Sequence, residues 1–149
     1  MTPKPGLFLL DTNILVHLTR ASPVGRRVIH QFDLYHQPHR HLISAVTVGE
    51  ALAFAKKRAW GLRRTELLKD LLREMVVVSL DSESVLNLYA EIDCYLQKAG
   101  KPIEQNDMWI AATAAATGAH LLTTDHDFDP LDPLYLTRTW IDPRLSDPA

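Results

Sequence analysis

Four acidic residues in this chain stand beside short apolar runs. Asp11 directly follows LFLL, Glu50 comes shortly after HLIS, Asp125 directly follows HLLTT with Asp127 two residues on, and Asp107 opens the apolar stretch MWIA. Carboxylates gathered in one pocket repel and raise one another's affinity for protons, so several ionised acids at one point imply a counter-ion. Oxygen donors without cysteine or paired histidines select hard Mg²⁺ or Mn²⁺ over Zn²⁺. Magnesium retains several waters and favours substrates that bring their own phosphate oxygens. The chemistry that follows is phosphodiester hydrolysis, in which the ion activates water and neutralises charge on the phosphoryl group and leaving oxygen.

Each acid also has a plainer use. Thr47 and Glu50 fit the T-x-x-E capping box, and Asp11 could cap a helix over residues 12–18. Asn106 could cap a helix whose positive end Asp107 complements, and Asp125 and Asp127 sit in a turn rich in Asp and Pro. Taken singly, these uses explain each residue as well as chemistry does. Taken together, they leave unexplained why the acids should meet, and that depends on the elements that carry them.

Residues 7–10 (LFLL) lie between Gly6 and Asp11, too short for a helix and suited to a buried strand. Residues 40–44 (RHLIS), 75–80 (MVVVSL), 119–124 (AHLLTT) and 134–140 (LYLTRTW) supply four more such runs. Helical patterns lie between them. Residues 47–59 carry Val48, Ala51, Leu52 and Ala55 on one face, which puts Glu50 in a first turn, and residues 82–99 carry Val85, Leu88, Tyr89, Ile92 and Leu96 at helical spacing before Gly100. Residues 106–117 are alanine-rich and end at Gly118, just before the next strand. Strands alternating with helices predict an α/β fold, a mainly parallel sheet covered on both faces. Ligands in such sheets gather beyond the carboxyl ends of the strands. Asp11, Glu50 and Asp125 are delivered there by strand ends. Asp107 reaches the same edge because a helix returning to a parallel strand runs antiparallel to it.

The chain has 149 residues, 46% of them hydrophobic, enough for one core and marginal for two, so a single domain over residues 1–149 is expected, with residues 142–149 a loosely held tail. A formal charge of −2 provides no global basic field, so a polyanion would need a local patch or a metal. The single cysteine, Cys94, excludes an intrachain disulfide framework and suits a reducing cytoplasm, where it is expected to be a small core residue. No apolar stretch approaches the roughly 18 residues of a membrane span, and the N-terminal residues lack a secretory h-region, so a soluble cytoplasmic protein is the expectation.

The stretches LLDTNILV, ISAVTVGEALAFA, QNDMWIAATA and LLTTDHDF, in that order and spacing, resemble the PIN-domain ribonucleases, specifically the VapC toxins of type II toxin–antitoxin modules. The likeness runs over roughly residues 7–130. It implies a three-layer α/β/α domain and an Mg²⁺- or Mn²⁺-dependent endoribonuclease, holding one or two ions, that cuts RNA, often tRNA or rRNA, and so halts translation. By resemblance, Asp11, Glu50 and Asp107 match the three acids that hold the metal and Asp125 the fourth, with Asp127 the alternative. Asn13 and Thr124 match polar residues that support the site. The resemblance further implies a homodimer and a VapB-like antitoxin that threads a segment toward the acidic pocket. A PIN nuclease of RNA maturation or DNA processing, or a non-catalytic PIN-fold binding module, are the alternatives.

Near Trp60, the segment KKRAWGLRR holds Lys56, Lys57, Arg58, Arg63 and Arg64, a local basic patch suited to RNA backbone contact, to an antitoxin surface, or simply to a solvated helix end. His36, His39 and His41 flank a proline and read as a surface loop rather than a metal cluster. Trp109, among apolar neighbours, reads as core. No G-x-S-x-G elbow suggests a nucleophilic serine.

Overall fold

The computed structural model describes residues 6–145. Its elements alternate as the sequence predicts. Strands are β1 (Phe8–Leu10), β2 (Leu42–Ser44), β3 (Val76–Val78), β4 (His120–Thr123) and β5 (Thr137–Trp140), each at or inside an apolar run. The helices are α1 (Thr12–Arg20), α2 (Pro23–Phe32), α3 (Ala45–Lys57), α4 (Leu62–Glu74), α5 (Glu83–Lys98) and α6 (Gln105–Thr117). The strands pair in the order β3-β2-β1-β4-β5, every pair parallel.

Side chains alternate across each strand, and the two faces build two cores. Leu9, Leu42 and Leu121 pack with Ile92, Leu96 and Ala111 from α5 and α6. Their chain neighbours Leu10, Ile43 and Leu122 face the other way, onto Ile14, Val28, Ala51 and Leu68 from α1 to α4. The sheet is therefore covered on both faces, an α/β/α sandwich. From β1 the chain winds outward through β2 to β3, then returns to place β4 on the other side of β1. That reversal opens a crevice at the carboxyl ends of β1 and β4. Asp11 sits at its floor, its N–H donating to the Leu122 carbonyl at 3.0 Å and so extending the ladder by one residue.

Helices α2 and α4 were not read from the sequence pattern. Pro23 opens α2 and Ser22 caps it, the Gly25 N–H donating to Ser22 Oγ at 3.1 Å. Gly25 is needed for close approach: a Cβ there would lie 2.5 Å from the His17 carbonyl oxygen of α1. Gly118 ends α6 at φ 71°, a left-handed cap that lets the chain turn at once into β4.

Several expectations are corrected. The capping box is not formed: α3 starts at Ala45 and is capped by Ser44, which accepts from the Val46 N–H at 3.2 Å, leaving Thr47 buried inside the helix and Glu50 in its second turn. Nor does Asn106 cap α6. The helix begins at Gln105, and Asn106 instead donates to Glu50. Cys94 is exposed rather than core. Strand β3 is a sheet edge, with Val76 and Val77 exposed. Trp109 is only half-buried, its ring 4.1 Å from that of Tyr89. Within the expected tail, residues 142–145 are described, and Leu145 packs against the core; residues 146–149 lie outside the described residues.

Candidate metal centre

Asp11 is the most enclosed acid, 3% exposed at the turn from β1 into α1. It caps α1, with Oδ1 accepting from the Thr12 N–H at 2.8 Å. Its Oδ2 accepts from Thr123 Oγ1 at 2.6 Å and from Asn13 Nδ2 at 3.2 Å. Thr123 Oγ1 in turn accepts from the Asp125 N–H at 2.9 Å, so one buried hydroxyl ties the ends of β1 and β4 together. Asn13 Oδ1 accepts from the Thr124 N–H at 3.2 Å.

Glu50 projects from α3 across the same crevice. Thr12 Oγ1 donates to its Oε1 at 2.7 Å, and Asn106 Nδ2 donates to its Oε2 at 3.2 Å. Asp107 stands in the first turn of α6, where the positive helix end favours a carboxylate. Asp125 opens the 3-10 turn His126–Leu131, its Oδ1 accepting from the Asp127 N–H at 2.9 Å. Asp11, Glu50, Asp107 and Asp125 line one cleft of about 370 Å³. Asp107, Asp125 and Asp127 each offer a carboxylate oxygen within 4.8 Å of the others.

The mutual repulsion within this cluster is only partly relieved. Burial, aided by the charges of Asp125 and Glu50, pushes the Asp11 pKa up to about 6 against the lowering effect of its bonds to Thr123 and the Thr12 amide. Asp107 is pushed up to about 8, first by burial, then by the charges of Asp11 and Asp125 and by a hydrogen bond and charge from Asp127. Burial and like charge thus favour a proton on Asp107 in the metal-free site, and a cation bound there would compete with it. An all-oxygen donor set of this charge fits a hard dication such as Mg²⁺ or Mn²⁺.

A PIN-domain family model matches residues 8–132, covering the strands and helices that carry every one of these acids. The chain belongs to the PIN-domain family. This PIN domain is 30% identical over 138 residues to ribonuclease VapC5 of Mycobacterium tuberculosis, spanning 89% of this chain and 93% of that protein. It is 31% identical over 121 residues to ribonuclease VapC1 of Haemophilus influenzae, strain R2866, spanning 78% and 85%. Among solved structures it resembles VapBC2 from Rickettsia felis, bound to a promoter DNA fragment, with a TM-score of 0.76 at 21% identity over 91% of this chain and 99% of that one. It also resembles FitAcB from Neisseria gonorrhoeae, with a TM-score of 0.70 at 27% identity over 88% and 95%. The homology is thus to VapC ribonucleases, the toxins of toxin–antitoxin systems.

The PIN domain brings some of the remaining candidates to the site and leaves others apart. Thr124 reaches it only through its backbone, whereas the threonine hydroxyl on Asp11 is that of Thr123. Of the five cations around Trp60, Lys57 lines a groove continuous with the acidic cleft, sharing Thr12, Glu50 and Phe54 with it. Arg58 and Arg64 instead lay their guanidinium groups over Phe54 and Trp60, at 5.2 and 5.5 Å. Lys56 lines a separate hollow with Trp60, and Arg63 is exposed on the first turn of α4. Among the described residues no histidine joins a group able to hold a metal; His36 pairs with Asp33, and His41 Nε2 lies 2.6 Å from the Leu34 carbonyl oxygen. Sequence reasoning passed over Arg20 and Glu104, which also line the cleft. Arg20 lies near the end of a helix that starts at the site, a weak signal. Glu104, three residues before Asp107, was a readable one.

No helix among the described residues is long and apolar enough to cross a membrane.

Proposed function

We propose that this PIN domain is an Mg²⁺- or Mn²⁺-dependent endoribonuclease, the toxin of a toxin–antitoxin pair, which hydrolyses tRNA or rRNA and so inhibits translation. The observation that carries the reading is the convergence of Asp11, Glu50, Asp107 and Asp125 on one cleft at the β1/β4 crevice, with unrelieved repulsion at Asp107. These four side chains hold the cation, Asp127 being placed to share or replace Asp125. A cation bound by these residues would supply an activated water and neutralise charge on the phosphoryl group. Thr123 and Asn13 fix the Asp11 carboxylate, and Thr12 and Asn106 fix Glu50. Arg20, in the lining of the cleft, and Lys57, in the adjoining groove, offset the acidic floor for an incoming phosphate backbone. The VapC names of the relatives support ribonuclease action, and the toxin–antitoxin complexes from Mycobacterium tuberculosis and Klebsiella pneumoniae among the structural neighbours support a VapB-like antitoxin as partner, with homodimerisation and a cytoplasmic setting following the same likeness.

Purified protein incubated with total cellular RNA tests this. Discrete fragments that require Mg²⁺ or Mn²⁺ and disappear with Asp107→Asn are expected, and their ends name the target. Metal-independent cleavage, or full activity of a folded Asp107→Asn protein, would refute the assignment of the acids. No cleavage at all by the folded, antitoxin-free protein would favour a PIN-fold binding module.

A further inference from the structure

Between the two acids Asp125 and Asp127 the chain places a histidine with no part in holding a cation. His126 is exposed, 63% for its side chain, yet its ring is fixed on two sides. One face stacks on the indole of Trp140, with centroids 4.1 Å apart and planes 18° from parallel. Its Nδ1 lies 2.9 Å from Asp129 Oδ2. Both anchors are themselves anchored. Trp140 Nε1 donates to the Thr124 carbonyl at 2.9 Å, and Asp129 Oδ1 is gripped by Arg138 through Nε at 3.2 Å and Nη2 at 3.0 Å.

An exposed imidazole ordinarily samples several rotamers, and ordering it costs entropy. Here that cost is already met in the free protein, and the result is a flat ring, backed by an indole, with its second face open to solvent. The ring buries little of its own surface, so the core gains little from it. A preorganised aromatic face is what an unpaired nucleobase needs, since stacking is independent of base identity and is worth most where the platform is rigid.

Building on the ribonuclease reading above, we propose that the open face of His126 is a stacking platform for one unpaired nucleobase of the RNA, held next to the acidic cleft by the Trp140–Asp129–Arg138 clip. The site thus takes single-stranded RNA with a base splayed out near the scissile phosphate. His126 is a positioning residue: it holds the substrate, and the acids hold the cation.

The test uses the full chain carrying Asp107→Asn to prevent cleavage, with a fluorescein-labelled single-stranded RNA of about twelve nucleotides, a length within the range such sites cover. Adding His126→Ala should weaken binding about tenfold, as loss of one stacked base does, while His126→Phe, which keeps the flat face, should bind within about twofold of the parent. A set of the same RNA with one abasic position moved along it supplies the decisive readout. One position should matter to the parent and to His126→Phe, and that position should cease to matter in His126→Ala. Parent-like binding by His126→Ala, or equal losses for alanine and phenylalanine, would overturn the platform. If the wild-type protein cleaves RNA and His126→Ala cleaves it with unchanged KM, only the platform falls; if the parent binds no RNA and the wild type cuts none, the ribonuclease reading falls with it.

Discussion

Replacing Asp107 by asparagine should stabilise the metal-free protein in a pH-dependent way. Its pKa rises from an ordinary 3.8 to about 8 in the fold. Because the folded value lies above the unfolded one, the fold is at full strength below about pH 4 and loses stability as pH climbs toward about 8. At 1.36 kcal/mol for each tenfold change in proton affinity, the loss at pH 7 is about 4 kcal/mol for the group in isolation. Asp107 is only part-buried, so solvent screening reduces this figure, and the proton can redistribute among Asp11, Asp107, Asp125 and Asp127; about 1 to 3 kcal/mol is the expected range. Asp107→Asn keeps the shape and removes the charge. In EDTA, urea unfolding of the variant and the wild type should give nearly equal stabilities at pH 4 and a variant advantage of about 1 to 3 kcal/mol at pH 7. Mg²⁺ should then reverse the order, stabilising the wild type increasingly with concentration and the variant little. A difference that does not change with pH, or a variant destabilised throughout, would refute the account of repulsion at this site.

Two further substitutions probe the frame around the acids. Thr123→Val removes the 2.6 Å bond to Asp11 Oδ2 and leaves the Asp125 N–H without its acceptor, which should cost about 1 to 3 kcal/mol in urea unfolding. Since that bond lowers the Asp11 pKa, a carboxyl NMR titration should find it above the wild-type value of about 6, with serine restoring both properties. Gly25→Ala would put a methyl 2.5 Å from a backbone oxygen of α1, where nothing flexible can yield, and should lower the thermal midpoint by the equivalent of about 2 kcal/mol or more.

The edge at which the acids gather was legible because it follows from order alone: apolar run, acid, helix, repeated. What composition could not supply was pairing order. Val76 and Val77 of β3 are exposed because β3 is a sheet edge, and no property of VVV distinguishes an edge strand from a central one. Thr123 and Thr124 are equally polar and adjacent; only the pairing of Leu10 with Leu122 turns the Thr123 hydroxyl inward to Asp11. Other misses were readable. Cys94 lies two residues from both Ile92 and Leu96, about 200° round the helix from each, so the spacing that placed those two in the core already placed the cysteine outside. Ser22-Pro23 is a helix start by its own chemistry, and Ser44 is as good a cap as Thr47, with the helix simply beginning earlier.

Capping and metal binding are not competing uses of the acids. Asp11 does cap α1, and the cap is part of what aims it: one bond on Oδ1 and two on Oδ2 take up about three of a carboxylate's four lone-pair sites, leaving about one for a cation. Glu50 accepts one bond on each oxygen and keeps a free direction on both. Asp107 is the contrasting member, for its contact is with another acid, Asp127, and among the described residues no other hydrogen-bond donor meets its carboxylate. The cluster is therefore graded, from Asp11, which the fold immobilises, to Asp107, which the fold leaves for a cation to satisfy. On the proposed reading, such grading would limit how far the pocket must reorganise on binding a cation, and it places the largest electrostatic cost of the metal-free state on one residue at the start of α6.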